Sequence, residues 1–185
     1  VPGDLNNLSD VFKYKIRMDE TIRAFNFETG EEPDGSSFYP DINYDGSRVV
    51  FESSASNLQS TGEFSSGKQI FLWETDTSVY GNISAVTIGN ADSKTPSIDN
   101  SGNLVVYSSD ANDLLSQNED TNNLTDIFLS IIDTNETFRA NIGYDREQAI
   151  GGISDQPVIS GDGSTIAFRS QATNLVRGKA ISFLN

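Results

Sequence analysis

The 185-residue chain contains no cysteine and no histidine. Without cysteine it can form no disulfide and no thiolate metal site, so its composition leaves the redox compartment open. Without histidine it lacks the most common general base and the most common transition-metal ligand. Nucleophilic triads built on a His base are excluded with it. Basic residues are few: 12 Lys+Arg stand against 27 Asp+Glu, a formal charge of −15. Nucleic acid and anionic membrane surfaces repel such a chain, and no Lys/Arg cluster offsets that. The acidity reads as solubility, in keeping with a salty habitat. No apolar run approaches the ~20 residues of a membrane helix, so no membrane insertion is expected. No G-x-G-x-x-G or G-x-x-x-x-G-K phosphate loop occurs. The chain begins at Val1 with no leader-like segment, which reads as a processed chain or a piece of a longer polypeptide.

What is present suffices for a core. Hydrophobic residues make up 36% and aromatics 10%, too much for a disordered chain. The length fits one domain, residues 1–185, able to bury about 70% of its unfolded surface.

One phrase is written three times: "SSFYPDINYDGSRVVFESSASNL", "DSKTPSIDNSGNLVVYSSDANDL" and "SDQPVISGDGSTIAFRSQATNL". They align on Pro40, Pro96 and Pro157. Ser37, Ser93 and Ser154 precede the prolines by three residues, and Gly46, Gly102 and Gly163 follow by six. Ser53, Ser109 and Ser170 come next, then Ala55, Ala111 and Ala172, then Leu58, Leu114 and Leu175. Repeats fall at about 1–58, 59–114 and 115–175, with a tail at 176–185 that departs from the pattern. A period of this length points to a propeller or a similar array. Each proline is expected to begin a short strand, where its missing donor does little harm. The Gly-containing turns close hairpins, because Gly tolerates positive φ. "RVVF", "LVVY" and "TIAF" read as second strands, "DVFKYKI", "QIFLWE" and "DIFLSI" as third strands, and "TIRAFNF", "NISAVTI" and "TFRANIG" as weaker fourth strands. The middle strands are apolar at consecutive positions, so both of their faces need cover. Radially packed blades supply that cover. An all-β chain is predicted, built of four-stranded antiparallel blades.

The Pro–Ile–Asp–Gly–apolar–Phe–Ser order resembles the WD-repeat-like units of TolB-type β-propellers over nearly the whole chain. The resemblance implies four-stranded blades, six to eight to a ring, and a protein-binding scaffold found outside the cytoplasm, periplasmic or secreted. It also leaves room for a peptidase accessory domain. Asn100-Ser101-Gly102 stands where the other copies have Asp-Gly.

The chain opens on a third and fourth strand (roughly 10–27), continues through two blades (near 38–89 and 94–143) and closes on a first and second strand (near 155–171). Three blades' worth of chain cannot close a ring. Two readings follow: a homodimer forming a six-bladed ring by a two-fold axis, or part of a longer propeller chain.

Two loops carry calcium-candidate spacing: Asp120, Asn122 and Asp126, matched by Asp4, Asn6 and Asp10. Hard cations favour several oxygens from one loop. The middle copy offers the poorer Glu63, Ser65 and Gln69. The alternative is an Asx-rich connection whose side chains bond their own backbone. No other cofactor is indicated. Asn-x-Ser/Thr sequons occur at Asn7, Asn82, Asn123 and Asn135, relevant only in a secreted eukaryotic protein. Sialidase-type Asp boxes do not fit, because the glycine is at the wrong offset. Trp73 and Tyr14 match in the third strands, opposite Ser130, and read as blade-interface packing. Arg23 and Arg139 match in the fourth strands, with Ser84 between them. The functional expectation is a non-catalytic binding or scaffold module for a peptide, protein or carbohydrate. The alternative is a carboxylate-based hydrolase, whose acids no sequence spacing identifies.

Overall fold

The computed structural model describes residues 5–25, 29–59, 67–75, 81–115 and 120–177. The described residues form twelve strands and no helix. A hairpin comes first, β1 (Phe12–Lys15) and β2 (Glu20–Arg23). Next is an antiparallel four-stranded sheet, β3 (Ser37–Ile42), β4 (Arg48–Ser53), β5 (Gln69–Glu74) and β6 (Asn82–Ala85). A second such sheet follows, β7 (Ser93–Ile98), β8 (Leu104–Ser109), β9 (Asp126–Ile131) and β10 (Glu136–Arg139). A second hairpin closes the series, β11 (Ser154–Ile159) and β12 (Ile166–Ser170). Strands meander in sequence order within each sheet. The described residues thus form two whole four-stranded blades with a two-stranded hairpin, here called a half-blade, at either end.

The cores lie between blades. Val50, Ile70 and Leu72 of the first blade pack with Ile98, Val105, Tyr107 and Phe128 of the second. On the other face, Val49, Phe51, Phe71 and Trp73 pack with Val11 and Ala24 of the first half-blade. Consecutive residues of β4 and β5 therefore face two different cores, which explains their unbroken apolar runs. Across the central strand pair, Phe51 stacks on Phe71 with ring centroids 5.9 Å apart, and Tyr107 on Phe128 at 6.0 Å.

The repeated serines fasten each blade's first strand to its second. Ser37 donates to Ser53 at 2.9 Å, and the pairs Ser93–Ser109 and Ser154–Ser170 match it at 3.0 and 2.9 Å. The second serine of each pair also accepts the amide of the repeated alanine, Ala55, Ala111 or Ala172. One hydroxyl thus satisfies a strand edge and the turn that leaves it. The turn glycines adopt φ of 74°, 80° and 71° at Gly46, Gly102 and Gly163, so Ser101 does not alter the middle turn.

The prolines sit differently from the sequence expectation. Each first strand begins at the serine, three residues earlier, and Pro40, Pro96 and Pro157 lie inside it at a register shift. The residue before each proline, Tyr39, Thr95 or Gln156, has φ near 50°. The chain bulges there, and a bulge is the other place where a strand tolerates proline.

Candidate functional site

The three bulges come together. Tyr39-Pro40-Asp41, Thr95-Pro96-Ser97 and Gln156-Pro157-Val158 line one concavity of about 550 Å³ where the first strands converge. Left-handed φ is costly for tyrosine, threonine and glutamine, about 1–3 kcal/mol each, and such strain clusters at ligand clamps. Asp41 is the single carboxylate among these nine residues. Its Oδ2 accepts the Ser97 hydroxyl and the Ile98 amide, both at 2.9 Å, and its Oδ1 accepts the Ile42 amide. It is a strut between neighbouring blades, with both oxygens occupied. Ser97 repeats the role one blade on, accepting the Ile159 amide at 3.4 Å. Tyr39 is 62% exposed and supplies the aromatic surface of the mouth. Sequence reasoning singled out the prolines but missed this site, because nothing in Tyr, Thr or Gln announces positive φ.

The acidic loops lie elsewhere. Asp120, Asn122 and Asp126 are gathered beside Arg139 of β10. The guanidinium is 3.2 Å from Asp126 and 3.4 Å from Asp120, with side chains 8%, 0% and 3% exposed respectively. Asn141 donates to Asp126 at 2.7 Å, Gln148 to Asp120 at 2.7 Å, and Asn122 to Asp126 at 3.1 Å. Burial pushes the Asp126 carboxyl above the ordinary aspartate range, and the Asn141 hydrogen bond and Arg139 charge oppose it. The first loop is built alike. Arg23 reaches Asp10 and Glu32, both at 3.1 Å. Asn6 and Asn122 each accept an amide two residues on, from Leu8 and Leu124, which is the Asx turn. Asp4, Glu63 and Ser65 lie outside the described residues. Among the described residues no group of three or more Asp or Glu is placed to hold a metal ion. In both loops an arginine of the fourth strand supplies the positive charge that the carboxylates face.

The middle blade substitutes a neutral set. Gln69 stands where the others have Asp10 and Asp126, and accepts from Thr87 at 2.8 Å and from the Gly89 amide at 3.1 Å. Strand register pairs Arg23 with Phe12, Arg139 with Phe128 and Ala85 with Phe71. Ala85, not Ser84, is therefore the counterpart of the arginines. Trp73 is fully buried, and Ser130, at the matching position, donates to or accepts from the Tyr107 hydroxyl at 3.0 Å. A cavity of about 250 Å³ lined by Leu72, Ala85, Ser130 and Thr137 lies beside this smaller side chain.

No family model and no curated protein matches the chain. Among solved structures, it is similar to a TolB structure from Agrobacterium tumefaciens, with 20% identity, a TM-score of 0.45, and coverage of 70% of this chain and 40% of that one. TolB from Acinetobacter baumannii aligns at 12% identity with a TM-score of 0.44, covering 86% of this chain and 42% of that one. The chain thus spans about 40% of the length of either.

Proposed function

We propose that this chain is a non-catalytic binding module whose ligand, a peptide, a protein segment or a carbohydrate, seats on the mouth formed by the three bulged strands. The carrying observation is that mouth: a concavity of about 550 Å³ at the convergence of three blades, with strained backbone at each bulge and one aromatic exposed at its edge. Preformed concavities with a few placed polar groups are the usual ligand sites. The hydrolase alternative needs two carboxylates facing a cleft. Asp41, the mouth's one carboxylate, is spent on holding the next blade, and the buried Asp120–Asp126 pair is neutralised by Arg139 away from the mouth. The mouth belongs to a propeller ring completed by a second copy or by further chain. The resemblance of the repeat to TolB-type propellers supports a periplasmic or secreted setting for the module.

Selection of peptides from a random library, alongside a glycan array, identifies the ligand class. Calorimetry then measures the selected ligand against Tyr39→Ala. Loss of an aromatic anchor should weaken binding by about tenfold or more. Unchanged affinity of the variant contradicts this placement.

A further inference from the structure

We infer that the interface between the two whole blades holds a small-molecule site, a slot for one aromatic ring with a polar tip, of the phenol class. It is separate from the mouth. It lies between β3–β6 and β7–β10, away from both half-blades, and does not depend on how the ring is completed.

The slot is the cavity of about 250 Å³ beside Ser130. The repeat shows what suits such a place. Trp73 and Ser130 are counterparts: Trp73 pairs with Val49 and Ile83, and Ser130 with Val105 and Thr137. Between the first half-blade and the first blade, the indole of Trp73 is fully buried among Val49, Phe51 and Ile83. The Lys13 ammonium lies 5.5 Å from its ring centroid. Between the two whole blades, serine removes the ring and the cavity stands beside it. Leu72, which follows Phe71 as Lys13 follows Phe12, is 2% exposed and forms an apolar wall. Val86 and Ile132 line the cavity as well, and both pack against the core shared by the two blades. A space that the fold fills with an aromatic side chain at one interface is open at the next. Apolar cavities of about 150 Å³ are known to take up benzene.

Three differences between the copies give this slot a polar end. Tyr107, Ser130 and Thr137 stand where the first blade has Phe51, Trp73 and Ile83, and each brings a hydroxyl. Tyr107 Oη lies 3.0 Å from Ser130 Oγ, which lies 2.9 Å from Thr137 Oγ1. Burial raises the pKa of Tyr107, so it keeps its proton. Three hydroxyls carry three hydrogens, and their two mutual bonds use two of them. Leaving the third on Tyr107, which is fully buried and does not line the cavity, would strand a donor without an acceptor. Donation therefore runs from Tyr107 to Ser130 to Thr137, and the remaining hydrogen sits on Thr137 at the cavity wall. A ligand that accepts a hydrogen bond there is favoured. A phenol oxygen accepts it while the ring meets Leu72, Val86 and Ile132. Indole, whose nitrogen only donates, matches the space and not the hydrogen. Toluene matches the apolar walls alone.

Titration of the full chain with phenol, followed by calorimetry and amide NMR, tests this. Phenol should bind with a Kd of about 1 mM or tighter, with shifts centred on Leu72, Ala85, Ser130 and Thr137. A purely apolar cavity would prefer toluene, the less water-soluble ring. Phenol should instead bind more tightly than toluene by about fivefold, the worth of one hydrogen bond. Ser130→Trp supplies the ring from within the chain. It should weaken phenol by about tenfold or more and raise the melting midpoint. If that variant does not fold, the shift map of the unaltered chain decides. Absence of saturable phenol binding at millimolar concentration overturns the inference. So does phenol affinity unchanged by Ser130→Trp, or toluene bound as tightly as phenol. Shifts centred on Tyr39, Thr95 and Gln156 overturn it too, and leave the mouth standing as the one site.

Discussion

Asp126 and Arg139 show how a buried charge is made tolerable in this chain. Removing Arg139 leaves Asp126 and Asp120 buried without their counter-charge, a loss of about 3–5 kcal/mol in comparable cases. The middle blade demonstrates the neutral solution at the same position, with Gln69 in place of the acid and Ala85 in place of the arginine. Arg139→Ala should therefore destabilise the chain by about 3 kcal/mol in urea unfolding. Adding Asp126→Gln should return at least ~1 kcal/mol of that loss, a coupling that a double-mutant cycle reads directly. Strict additivity would show that the two side chains do not act as a pair. The sequence exposed the Asp spacing, because it repeats, and exposed both arginines. It did not reveal that they meet, since that depends on strand register, and one residue of slip separated Ser84 from the true counterpart Ala85.

At the level of elements, blade is joined to blade by polar groups that the repeat conceals. Glu52 of β4 is 1% exposed at its side chain and accepts from Lys68 at 2.7 Å and from the Thr95 amide of the next blade at 2.9 Å. Its counterparts are Ser108 and Arg169, so no pattern marks it. Glu52→Ala removes the acceptor from a half-buried amide, which costs about 1 kcal/mol. The chain should melt correspondingly lower, and an unchanged midpoint would refute the strut. The paired serines were legible, because the same residue recurs at a fixed offset and the offset spans one hairpin. The bulges were half legible. Proline marked the place, but its rigid ring fits both a strand start and a bulge, and only tertiary packing holds Tyr39, Thr95 and Gln156 at positive φ. The concavity proposed as the binding mouth went unseen for the same reason: it is made of backbone shape more than residue type.

Across the whole molecule, among the described residues no third strand pairs with the edge of β12 and no second strand with β1, places that the proposed ring fills with a second copy or with further chain. Apolar strand edges left open invite association. Opposing it is the charge of −15 on each copy, which salt screens over about 8 Å at physiological strength. Association should thus strengthen as salt is raised. Hydrogen exchange on the chain is the most direct test of packed sheets covering both faces of every inner strand. Amides of β4, β5, β8 and β9, which the two cores bury, should exchange slowest of all. Exchange in β4 and β5 as fast as in the outer strand β6 would contradict it.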